Sequence, residues 1–142
     1  MSIPVVRGTL PLVLAGEFKP WAIAVTHSKL LIRGFIGDPE VAEALEVIDI
    51  LFQDVSHFSL SSSYSSLNLR LAGLEAMGHE EQRIGAAWNQ ERMFLLGSTV
   101  GAGYVVAGFL FWAHISGGGG APSPLLAEEI GPTEIRGNIY RC

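Results

Sequence analysis

The longest apolar pattern in the chain runs from Met93 to Ala113, MFLLGSTVGAGYVVAGFLFWA, without one charged side chain. Its length is that of a helix able to cross a bilayer, and the Gly97/Gly101 spacing and Trp112 suit such a span. The glycines divide the stretch differently. Gly97, Gly101, Gly103 and Gly108 would each weaken a helix by about 1 kcal/mol in water. Residues 92–96 and 104–115, by contrast, are strand-length runs joined by a glycine-rich connection. The pattern predicts a buried hairpin with its turn between Gly97 and Gly103 and with Val105 and Val106 on opposite faces. A strand covered on both faces is apolar at both sets of alternate positions. Here those sets are Val105, Ala107, Phe109, Phe111 and Ala113 against Tyr104, Val106, Leu110 and Trp112. A single membrane-spanning helix over 93–113 is the alternative.

Elsewhere the period-two pattern recurs. Residues 22–26 and 30–33 form two β-like runs around a tight turn at 27–29. Residues 46–55 are rich in β-branched and aromatic side chains, with Ile48, Ile50 and Phe52 on one face and Asp49 on the other. A shorter run at 57–60 leads into the serine-rich 61–66, which reads as an exposed loop. Residues 67–71 alternate, with Asn68 and Arg70 outward. Asp38 and Pro39 can start a helix over 38–46, or that segment can be a loop. A second short helix is predicted over 78–89, weakened by Gly85. The glycines at 117–120 and the prolines at 122 and 124 predict a linker, followed by a tail whose residues 135–140 can add an edge strand. The expected architecture is mainly β (or α+β): one antiparallel sheet or sandwich with one or two short helices. A globular domain spans 1–116, and a linker and tail span 117–142.

Composition sharpens this picture in three places. The chain is 49% hydrophobic and only 16% charged, which fits a thick core, a buried homo-oligomeric interface or a membrane protein. A formal charge of −5 argues against nucleic acid, whose phosphates need a basic surface. The lone cysteine, Cys142, has no intramolecular partner, which favours a reducing cytoplasm. The apolar run at 9–15 is short and contains Pro11, so it does not read as a secretory leader.

Candidate chemistry is sparse. His27, His57, His79 and His114 show no metal-ligand spacing, and the residues after His79 lack the second histidine of a zinc-protease helix. Ser98 is second rather than central in its glycine-flanked pentapeptide, which excludes a nucleophile elbow. No cofactor, metal site or catalytic group is expected. Glu46, Asp49 and Asp54 form an acidic strand face, a docking surface for a basic protein partner. Trp88, Tyr104 and Trp112 could instead line a small-ligand pocket.

The phrases IDILFQDVSHFSL (48–60) and RMFLLGSTVGAGYVVAGFLFWAHI (92–115) resemble small bacterial β-rich domains of the toxin-immunity type. That resemblance implies a cytoplasmic, non-enzymatic domain that neutralises a toxin by binding it, and it carries no functional residue over.

Overall fold

The computed structural model describes residues 3–25, 28–37, 46–116, 118–127, 130–131 and 133–142. Among these residues, eight strands and one α-helix follow one another: β1 (Val5–Arg7), β2 (Leu12–Ala24), β3 (Lys29–Ile36), β4 (Glu46–Ser59), β5 (Tyr64–Leu71), α1 (Leu74–Ile84), β6 (Arg92–Leu95), β7 (Tyr104–Ile115) and β8 (Ile135–Arg141). The expected mainly β, antiparallel architecture is present, and its sheet closes on itself as a six-stranded barrel, β2-β3-β4-β7-β6-β5. Closure pairs every edge within the ring and leaves no sheet-on-sheet sandwich. The helix-or-loop choice over 38–45 lies outside the described residues.

Residues 93–113 form the expected hairpin. β6 and β7 pair antiparallel, and the turn holds a short 3-10 segment at Val100–Ala102. Among the described residues no helix is long and apolar enough to cross a membrane. Val105 packs inside the barrel and Val106 outside it. The single alternation expected along β7 does not persist, however. Val105 and Ala107 point inward, but so do Leu110 and Trp112, while Phe111 and Ala113 pack outside. The strand changes face at Gly108. Its partner β4 does the same: Ile48, Ile50 and Phe52 are inside, then Val55 is, with Asp54 between them at φ 55. The β4–β7 register runs unbroken from Gln53–Phe109 to Val55–Ala107 and shifts only between Val55 and His57, so the two strands turn over together at this point.

The barrel interior is a packed core of Phe18, Ile32, Ile50, Phe52, Phe94 and Leu110, among others. Gly34 makes room for it, since a Cβ there would meet the Phe18 ring at 2.3 Å. Two layers cover the outside. α1 lies against Met93, Leu95, Tyr104 and Val106, through Met77 and Ile84. The expected linker and tail form the second layer: Leu125, Ile135 and Ile139 pack on Leu31, Val47, Leu51 and Ala113. β8 pairs with β7, and β1 adds to β8 in parallel, so β8 is not an edge strand.

Under this second layer, Arg33 and Asp49 face each other across β3 and β4, both 0% exposed. Arg33 Nε and Nη2 donate to the two Asp49 oxygens at 2.7 and 2.8 Å. Its Nη1 donates to the backbone carbonyls of Gly119, at 2.9 Å, and Ala121. Removing one partner of such a pair strands a buried charge, so Asp49→Ala should lower stability by about 3–5 kcal/mol. The apolar double substitution R33M/D49L should be less damaging than D49A alone. Equilibrium urea unfolding checks the order, and a double variant as unstable as D49A would refute it.

Candidate functional site

The three expected acidic residues do not form one surface. Glu46 is exposed at the start of β4, 3.9 Å from His114 Nδ1. Asp54 is exposed eight residues on, roughly 26 Å along the strand at 3.3 Å per residue. Asp49, between them, is wholly buried against Arg33 and offers nothing to a partner. Asp49 does point away from Ile48, Ile50 and Phe52 as expected, but protein rather than water covers that face. The aromatic trio is also split. Trp88 and Tyr104 lie 6.5 Å apart between ring centroids, outside the barrel. Trp112 is on the inner face, stacked on Tyr140 at 5.6 Å.

Beneath α1 the structure gathers titratable groups whose proximity sequence order conceals. The helix begins at Leu74, before the expected Gly78, and stops at Gly85, whose left-handed φ of 73° and ψ of 34° suit a glycine. Few apolar residues mark its inner face, so periodicity misplaces it. Glu80 occupies that face and is buried. It accepts from both Arg83 Nε and Nη2 and from the Tyr104 hydroxyl. His57 stacks on Tyr104 at 5.7 Å and lies 5.6 Å from the Trp88 ring. The Arg83 hydrogen bonds, followed by that from Tyr104, hold the Glu80 pKa at about 2. Burial first, and then the Glu80 carboxylate, push the Tyr104 hydroxyl upward. A carboxylate so stabilised is a poor base near neutrality, and the phenol is committed to it. The cluster fastens α1 to the barrel.

Open surface chemistry lies beside it. A groove of about 650 Å³ runs along the outer face of β2 and β5, bounded by the start of α1 and the loop at 98–100. Its walls include Val13, 69% exposed, and Leu71, 51% exposed. Arg70 donates from Nη2 to the Ser98 carbonyl at 3.0 Å and, among the described residues, pairs with no carboxylate. The neighbouring Asn68 has its Oδ1 buried without a hydrogen-bond partner. Both side chains occupy the outward positions that the 67–71 alternation assigns them. The sequence gives no cue that Val13, in the apolar run at 9–15, lies alongside: it sits opposite Asn68 in the β2–β5 register. Among the described residues no cluster of histidine, cysteine and acidic side chains could hold a metal ion.

The chain matches no protein-family model and no curated protein, and its fold matches no solved structure.

The Glu80 contacts make stability depend on acid pH in a defined direction. The folded-state pKa of about 2 lies below the ordinary 4.5. The stabilisation is therefore complete above pH 4.5 and lost as pH falls towards 2. Glu80→Gln should cost about 1.5–3 kcal/mol at neutral pH, the range for hydrogen bonds to a charged group. The gap between the urea midpoints of wild type and E80Q should close between pH 5 and pH 2. A gap independent of pH would show that Glu80 does not titrate in this way.

Proposed function

We propose that the protein is a non-enzymatic protein-binding domain and that the groove along β2 and β5 receives a segment of its partner. The observation that carries this reading is the unpartnered Asn68 Oδ1, buried at the groove beside exposed Val13 and Leu71. A buried acceptor without a donor costs about 1–3 kcal/mol, and a backbone N–H of an inserted segment would relieve that cost. Apolar walls with a few directed polar groups are the composition of a binding surface. Arg70, tied only to a carbonyl, favours an acidic side chain on the incoming segment. The preferred partner sequence is therefore apolar and acidic, in place of the basic surface expected for an acidic strand face. Toxin neutralisation by direct binding in the cytoplasm is the specific form of this proposal, and it rests on the resemblance in 48–60 and 92–115.

Peptides displayed on phage and selected on the immobilised protein should converge on short sequences combining apolar and acidic residues. Val13→Asp and Arg70→Glu, both at exposed or half-exposed positions, should each weaken the selected peptide about tenfold or more. Neither should change the melting temperature of the free protein by more than a few degrees. Failure to enrich any sequence, or equal binding by both variants, would reject the groove as the docking site.

A further inference from the structure

The C-terminal layer stops short of one end of the outer face of β3 and β4. Leu31 and Leu51, register partners on that face, pack against the layer. The ladder between the two strands ends at Leu30 opposite Phe52. One step beyond it Lys29 stands opposite Gln53. Each is two residues from Leu31 or Leu51 and therefore on the same face. The Val55 N–H donates to the Ser28 carbonyl at 3.0 Å and holds the strands together past this point. Lys29 and Gln53 are both half-buried.

These two side chains mark the polar end of a cavity of about 220 Å³ between the sheet and the C-terminal layer. Leu51 and Phe111 line it from the sheet, and Leu125, Ile130 and Ile139 line it from the layer. Val5 on β1, 56% exposed, stands at its mouth. Leu51, Leu125 and Ile139 are buried, so the apolar lining belongs to the packed outer core. No described carboxylate lines the space. Asp54, next to Gln53 in the chain, lies against Gly108 instead. Arg33 and Asp49, farther along the same face, neutralise each other. Arg141 stands over Phe111, 5.9 Å from its ring centroid, and places a second positive charge beside the cavity.

We infer that this cavity binds a short aliphatic monocarboxylate. Its chemistry is that of an amphiphile: apolar walls for a hydrocarbon chain, with an ammonium and an amide at one end for the head. Lys29 brings a compact charge with rotatable donors, and the Gln53 amide adds neutral donors beside it. Together they match the two oxygens of one carboxylate. A cationic head is repelled by Lys29, and an alcohol forfeits the ion pair. A volume of about 220 Å³ lies below the roughly 300–1,000 Å³ of sites for drug-sized ligands, which restricts the chain to a short one. None of the residues lining the protein-binding groove lines this cavity, so the two sites stand or fall separately.

Methyl-resolved NMR titration of the full chain with straight-chain carboxylates tests the assignment. Butanoate, hexanoate and octanoate should each give saturable shifts at the Leu51, Leu125 and Ile139 methyls. Affinity should rise about fourfold per added methylene, the effect of burying one CH₂, and stop rising by dodecanoate, whose chain outgrows the cavity. Octan-1-ol should bind about tenfold more weakly than octanoate, the effect of losing a charge-assisted hydrogen bond, and octylamine more weakly still. Lys29→Gln should abolish the preference for octanoate over octan-1-ol while leaving the affinity for the alcohol and the melting temperature unchanged. Lys29→Arg should retain the preference. Three results would each overturn the assignment: no saturable shift at these methyls with millimolar octanoate, affinity that keeps climbing through dodecanoate as in general apolar adsorption, or an octanoate preference that survives in K29Q.

Discussion

The burial of Arg33 against Asp49 sets terms that the surrounding structure has to meet. Two full charges removed from water carry a desolvation cost of several kcal/mol each, which their attraction offsets only with good geometry and satisfied remaining donors. The register of β3 and β4 brings the two residues face to face, so that the fork is bidentate. The other donors then need acceptors in a dry place, and the carbonyls of Gly119 and Ala121 supply them. A segment that composition marks as a linker becomes a structural cover for this reason. Its neighbours Leu125, Ile135 and Ile139 complete the apolar seal around the pair. The same pair resists strand slippage, because a one-residue shift would turn Asp49 into the barrel core.

Closure of the barrel imposes a second demand on the same strands. A sheet that curls into a ring of six strands has to coil, and β4 and β7 change face together at Asp54 and Gly108, next to the register shift between Val55 and His57. That change separates the outer surface of β7 into two territories. Tyr104 and Val106 lie under α1, whereas Phe111, Ala113 and Ile115 lie under the C-terminal layer. The boundary between the territories is also where the free edge of β7 passes from β6 to β8. One local irregularity therefore accounts for the two covering layers and for the divided edge of β7.

Most strands were legible in the sequence because strand patterning needs only local alternation. The hairpin at 93–113, the β2–β3 pair, the run from Glu46 and the alternation of Leu67, Asn68, Leu69 and Arg70 all followed from it. What escaped depended on partners distant in sequence. Glu80 on a helix carries no apolar signal, so α1 was displaced until the Tyr104 hydroxyl and Arg83 explained why a carboxylate faces inward. Asp49 reads as solvated in any local window, because its cover is 86 residues from Arg33 in the case of Gly119. The face change at Gly108 breaks the period-two rule itself. Candidate site residues fared worse than elements for the same reason: Asn68 and Arg70 were placed outward correctly, but only the pairing of β5 with β2 brings Val13 beside them.

Net charge is the clearest case of a global quantity that misdirects a local inference. A value of −5 suggests an acidic face and a basic partner. Yet charge acts through where it is placed and how its neighbours neutralise it. Arg33 and Arg83 are taken up by Asp49 and Glu80, and Lys19 lies 3.2 Å from Glu17. Arg70 in the groove donates to a backbone carbonyl and has no such carboxylate among the described residues. The charge at the groove is thus opposite in sign to the net charge of the molecule. A single well-placed arginine can therefore set the sign of the charge that a groove complements, against the net charge of the chain.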